Sequence, residues 1–179
     1  MRFALLLPTL LMTAPASAEV VSSGPNGIEV QQVVNLVVPQ PSAYAAFGQI
    51  GQWWNKEHTY SGDAARLSLQ LRAGGCFCEH LDGGGGVEHM RVTLLRPGEE
   101  VVLTGGLGPL LYEATSGVMD VKFERIAGGS RVTMNYRAAG FARGNGAEMA
   151  PLVDQVLAEQ MKRYRSYAAK APKPDTLKP

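Results

Sequence analysis

The chain has 179 residues, 45% of them hydrophobic, with 17 Lys and Arg against 16 Asp and Glu. That length is enough for one domain with a real core. A net charge near zero gives no electrostatic reason to expect nucleic acid or an anionic membrane surface as partner, and two cysteines are too few for a disulfide scaffold.

Residues 1–18 read MRFALLLPTLLMTAPASA: Arg2, a short apolar run over 3–12, then Ala16-Ser17-Ala18 as an A-x-A cleavage site. The run is too short to span a bilayer, and Pro8 and Pro15 would interrupt a buried helix. We expect an export signal over 1–18 and a mature chain from Glu19, soluble in the periplasm or outside the cell, without stable membrane insertion. Cleavage removes Arg2 and no acid, leaving sixteen charges of each sign in 161 residues.

Residues 19–27, ending in SSGPNG, read as an N-terminal loop, and the domain proper as 28–169. Ile28, Val30, Val34, Leu36 and Val38 alternate with Glu29, Gln31 and Asn35, the period of two of a half-buried strand. Pro39 and Pro41 end it, and Pro41 suits the first turn of a short helix over 42–50. A second short helical piece around 53–55 leads into the polar segment 58–63. From 65 to 141 the signals are all strands and turns, with strands at 67–71, 76–81, 87–95, 101–104, 115–125 and 131–140. Gly-rich connections between them imply an antiparallel meander. The four glycines at 83–86 read as a hairpin tip, since no helix follows to cradle a phosphate. Met149, Leu152, Val153, Val156, Leu157, Gln160, Met161, Tyr164 and Ala168 then recur at three and four residues, the apolar stripe of one long helix. The segment 170–179, KAPKPDTLKP, reads as a flexible tail.

The order is strand, two short helices, six antiparallel strands and a long C-terminal helix, an α+β chain with about seven strands. With Trp53-Trp54, HTYSGD at 58–63, GGCFCE at 74–79, VEHM at 87–90, GLGPL at 106–110 and VDQVL at 153–157, it resembles the helix-grip superfamily. That superfamily includes START domains, Bet v 1-like proteins and polyketide cyclases. More narrowly, the chain is similar to bacterial SRPBCC proteins of the Aha1/polyketide-cyclase-like type, with a signal peptide added. The resemblance covers roughly 28–168 and implies a curved sheet around the long helix with a cavity between them. It carries no catalytic motif, because the superfamily hosts carriers, sensors and cyclases alike.

Alternation assigns the faces. Met90, Val92 and Leu94 should point inward with Glu88, and His89, Arg91 and Thr93 outward. Met119, Val121 and Phe123 are inward on one later strand, Val132, Met134 and Tyr136 on the last. At 76–81, Phe77 and Leu81 draw Glu79 inward and leave Cys76, Cys78 and His80 outside, where a four-residue loop would set His80 opposite His89. Cys76, Cys78, His80 and His89 are zinc-like ligand types, but residues i and i+2 of a strand lie about 6.6 Å apart, unlike the tight turns of structural zinc sites. A Cys76–Cys78 disulfide is the second alternative, and two half-buried thiols is the plainer reading. Glu79 among Phe77, Leu81 and Met90 would have a raised pKa from desolvation and act as ligand anchor or acid/base. The alternative sets it near the cavity mouth, solvated or paired with an arginine. A register slip by one residue would bring the cysteines and His89 inside instead.

The expected pocket comprises Trp53, Trp54, Phe77, Glu79, Met90, Val92, Met119, Val121, Phe123, Met134, Tyr136, Leu152 and Val156, with the loop at 105–110 as a second lip. Met90, Met119, Met134, Met149 and Met161 all fall on inward faces, which suits flexible apolar ligands as well as ordinary core. No G-x-S-x-G, H-E-x-x-H or P-loop is present. The leading expectation is an exported carrier or sensor of a small hydrophobic molecule, with no cofactor and no resident metal. A cyclase- or hydrolase-type enzyme using Glu79, assisted by His89 or Tyr136, is the alternative, and a protein-interaction module the third.

Overall fold

A computed structural model describes residues 18–171. All but the last residue of the expected signal over 1–18, and residues 172–179 of the expected tail, lie outside the described residues. Eight strands, β1 (Ala18–Gly24), β2 (Gly27–Leu36), β3 (Leu67–Leu69), β4 (Cys76–His80), β5 (Gly86–Arg96), β6 (Glu100–Gly105), β7 (Ser116–Ile126) and β8 (Gly129–Ala139), form one antiparallel sheet. Its order is β1-β2-β8-β7-β6-β5-β4-β3. Two α-helices, α1 (Gln40–Gly48) and α2 (Gly146–Ala168), complete the α+β helix-grip architecture, with short 3-10 turns at Ile50–Gln52 and Lys56–His58 after α1. No helix among the described residues is long and apolar enough to cross a membrane.

The eighth strand is a correction. Residues 18–24, expected as the last signal residue and the start of a loop over 19–27, pair with β2 through a tight turn at Pro25-Asn26, where Gly24 faces Gly27. The Pro-Asn-Gly signal was turn chemistry joining two strands, but the half before it has no apolar alternation to announce itself.

Strand β2 alternates as its sequence does, with Ile28, Val30, Val34 and Leu36 buried. Gln32 shares that face, and its Nε2 donates to Asp154 Oδ1 of α2 at 2.6 Å. In α1, Phe47 meets Trp53, Phe123 and Tyr164 with ring centroids 5.5–5.7 Å apart. Burial of such rings stabilises by about 1.5–3 kcal/mol each. Tyr164 Oη donates to the Ala43 carbonyl at 2.7 Å and Trp53 Nε1 to the Ala46 carbonyl at 3.1 Å, so these aromatics enter the core with their polar atoms satisfied.

Helix α2 does not lie evenly on the sheet. Leu157, Gln160, Met161, Tyr164 and Ala168 are buried, whereas Met149, Val153 and Val156 are half-buried and Leu152 is 55% exposed. The C-terminal half is core. In the N-terminal half Gly146 and Ala150 are buried and Asp154 is bonded to β2, but the face carrying Met149, Leu152, Val153 and Val156 stands off.

Two bulges reshape β5. Phe77 pairs with Met90 but Cys78 with Glu88, leaving His89 as the extra residue; Val92 pairs with Leu103 but Leu94 with Val102, leaving Thr93. Alternation therefore fails where it was expected to hold. His89 and Met90 are both buried, Glu88 is exposed, and Leu94 turns outward. The expected pairing of His80 with His89 is replaced by His80 with Gly86, because the tip is a 3-10 turn closed by Leu81 N donating to the Gly85 carbonyl.

Candidate functional site: an apolar cavity with a buried histidine at its wall

Where α2 stands off, a cavity of about 340 Å³ opens between residues 54–60, the loop at 107–112 and the first half of the helix. Trp54, Phe77, Leu107, Leu110, Val153 and Leu157 give it an apolar wall, and the sheet contributes only Phe77 and His89. Of the expected pocket residues, Trp54, Phe77, Leu152 and Val156 line it. Trp53, Met90, Val92, Met119, Val121, Phe123, Met134 and Tyr136 instead form the continuous core beside it. Burial pushes the Tyr136 hydroxyl up to about 12, so it stays protonated. Met149 is the methionine on the cavity wall. Trp54 is fixed by Nε1 donating to the His58 carbonyl at 3.0 Å.

Segment 55–60 is tied down from two sides. On the helix side, Asn55 N donates to Gln160 Oε1 at 2.7 Å and Asn55 Nδ2 to Glu159 Oε1 at 2.6 Å, while His58 Nε2 lies 3.3 Å from Glu159 Oε2. On the sheet side stands Glu79, 1% exposed and behind the wall rather than on it. Its carboxylate takes three donors: Ser61 N on Oε1 at 2.5 Å, and Tyr60 N at 3.1 Å and His89 Nε2 at 3.0 Å on Oε2.

Those bonds reverse the expected pKa shift. Burial acts to raise the Glu79 carboxyl, but the hydrogen bonds from Ser61, Tyr60 and His89 outweigh it and hold the group below its ordinary value. For His89 burial pushes the imidazole down, more than the adjacent Glu79 lifts it. The pair at neutral pH is therefore an ionised carboxylate and a neutral imidazole, and the partner assigns the proton to Nε2.

His89 is 4% exposed and sits between aromatic rings, 4.9 Å from Phe77 and 5.9 Å from a nearly parallel Tyr60. Among the described residues its Nδ1 has no hydrogen-bond partner. A carboxylate that fixes the tautomer and a free basic nitrogen at an apolar wall can accept a ligand's hydroxyl proton, or a hydrogen bond from it.

The outer face of the hairpin gathers differently from expectation. Cys76 and Cys78 form a disulfide, with Cα atoms 5.3 Å apart. His80 is exposed, and the bulge turns His89 to the inner face, so the four-residue set Cys76, Cys78, His80, His89 is not assembled. Tyr60 and Tyr112 at the mouth were missed: Tyr60 lies in an irregular polar segment and Tyr112 in a short 3-10 helix (Gly108–Glu113), where strand alternation says nothing.

No family model matches the chain, and no curated protein does. Solved structures do. A protein of Rhizobium leguminosarum aligns over 88% of this chain and all of its own, at 15% identity and a TM-score of 0.57. DynU16, from the dynemicin biosynthetic locus, aligns over 79% of this chain and 47% of its own at 14% identity and 0.57. The di-domain ARO/CYC StfQ, from the steffimycin biosynthetic pathway, aligns over 80% and 51% at 14% identity and 0.54. The chain thus spans about half of each of the last two. Identities this low show a shared fold, the one the helix-grip resemblance implied.

Proposed function

We propose that the chain is an exported carrier or sensor that holds one small, largely apolar molecule in the cavity between α2 and the sheet. The carrying observation is the cavity itself: about 340 Å³, near the lower end of small-molecule sites at roughly 300–1,000 Å³, with apolar walls and His89 as one of its few polar groups. The neighbours from dynemicin and steffimycin biosynthesis are compatible with such a ligand, as analogy of fold. Export rests on the pattern of residues 1–18. Native mass spectrometry of the mature protein from its own periplasm, before and after denaturation, tests the reading. An organic mass released on denaturation supports it; a bare chain that also binds no apolar probe overturns it.

A cyclase- or hydrolase-type reaction is the second reading, favoured by the Glu79–His89 pair. In it His89 Nδ1 takes the proton and Glu79 steadies the resulting imidazolium, because Glu79 is already occupied by three donors. His89→Gln separates the two: a carrier keeps most of its affinity for a neutral apolar ligand, whereas turnover by acid/base chemistry is lost.

A further inference from the structure

The Cys76–Cys78 bridge lies on the face of β4 opposite the cavity, and both residues are half-buried. It ties no two elements together. With one residue between its cysteines it closes too small a loop to constrain the unfolded chain much. Stapling the fold does not account for it, and its surroundings suggest another use. Cys78 stands opposite Glu88 on β5 and Cys76 opposite Arg91. The two sulfurs and a Glu88 carboxylate oxygen all lie within 4.8 Å of one another. Arg91 holds Glu88 from Nε at 3.1 Å and through Nη2, and also donates from Nη1 to the Gly74 carbonyl at 3.0 Å.

We propose that reduction of this disulfide opens a site for a thiophilic divalent cation of the zinc type, ligated by Cys76, Cys78 and Glu88. A dithiol reductant supplies two electrons and two protons, becoming a disulfide while Cys76 and Cys78 become thiols. The cation then displaces the two thiol protons to solvent and binds both thiolates. Metal–sulfur bonds of about 2.3 Å place tetrahedral sulfurs about 3.8 Å apart. Side chains on one face of a strand, with Cα atoms 5.3 Å apart, reach that spacing by rotation of the side chains alone. Glu88 supplies the third ligand from the neighbouring strand, and a water the fourth. The Arg91 guanidinium opposite Cys76 favours the thiolates and, in the oxidised form, occupies the carboxylate. Glu88 is the ligand that expectation lacked, because a strictly alternating β5 points it inward.

The test uses the full mature chain, reduced with a phosphine, which takes oxygen from water to become the phosphine oxide while the two protons of that water go to the thiols. Co(II) is added as a spectroscopic stand-in for Zn(II). One Co(II) per chain with thiolate-to-cobalt charge-transfer bands is expected in the reduced protein, displaceable by Zn(II), and none in the oxidised protein. Glu88→Gln should keep the bands and weaken affinity by about tenfold. The double variant C76S/C78S should lose the bands while its circular dichroism and melting match the reduced wild type. A reduced protein that takes no Co(II), or takes it equally after loss of both cysteines, overturns the assignment. The reduced and oxidised wild type differ by no substitution, so their comparison stands even where a variant folds poorly. The outcome is independent of the cavity, which lies on the other face of the sheet.

Discussion

Glu79 and His89 come from paired strands ten positions apart and are hydrogen-bonded to each other. Both titrate below their unfolded values, Glu79 because its hydrogen bonds outweigh burial, His89 because burial dominates. As pH falls below about 6.5 the unfolded chain gains a proton at His89 that the folded protein still refuses. At lower pH the same holds for Glu79. The stability these groups lend is thus complete above the unfolded histidine value and is lost on acidification, at up to about 1.4 kcal/mol per pH unit for each. Urea unfolding at pH 7.5, 6 and 5 should show the decline, and His89→Gln, which keeps a donor to Glu79 but does not titrate, should flatten it between 7.5 and 5. An equal decline in that variant would sink the assignment. Glu79→Gln offers one oxygen where three donors converge, so at neutral pH it should cost about 2 kcal/mol in the same experiment.

At the scale of the element, the β4–β5 hairpin decides which residues meet. Its strands, its inward Phe77 and Glu79 and its glycine tip were legible, because a period of two and turn glycines are local signals. The bulge was not, because an extra residue in one strand shows only against its partner. It brings His89 inside and sends Glu88 out, which assembles the pair on one face and the cysteine–carboxylate group on the other. The bulge has a companion in β6. Gly105 adopts φ 150°, and a Cβ there would stand 2.7 Å from the His89 carbonyl oxygen and 2.9 Å from Met90 Cα. The sequence shows that glycine only as a flexible lip, yet it lets β6 pass close against the bulge. Gly105→Ala meets rigid backbone in a conformation that disfavours any side chain, so a loss of about 2–3 kcal/mol is expected by denaturant unfolding. The aromatic signal of Tyr60 stacked on His89 should change with it. A variant as stable as wild type would show that the bulge does not depend on this contact.

For the whole molecule, the same helix makes a core along one half and a cavity along the other. The apolar stripe of α2 runs unbroken through both halves, so sequence alone spreads the pocket over the sheet. The cavity along the first half is lined by residues from 54–60 and 107–112, far from the helix in sequence, a long-range fact absent from any local period. This division makes the cavity separable from stability. Val156 is half-buried on the cavity wall, where its neighbour Leu157 is buried, so Val156→Trp has empty volume to enter. The indole should fill part of the roughly 340 Å³ without forcing the sheet, leaving the ligand-free melting temperature unchanged or raised. The fluorescent probe 2-naphthol has an apolar body and one hydroxyl for the histidine. At about one hundred times its Kd it should stabilise the wild type by about 2.7 kcal/mol, or roughly 5–10 °C for a chain of this size. Val156→Trp should lose that shift while melting as a folded protein. If probe and shift survive the tryptophan, the ligand binds elsewhere; if the variant melts far below wild type, the first half of α2 is core after all.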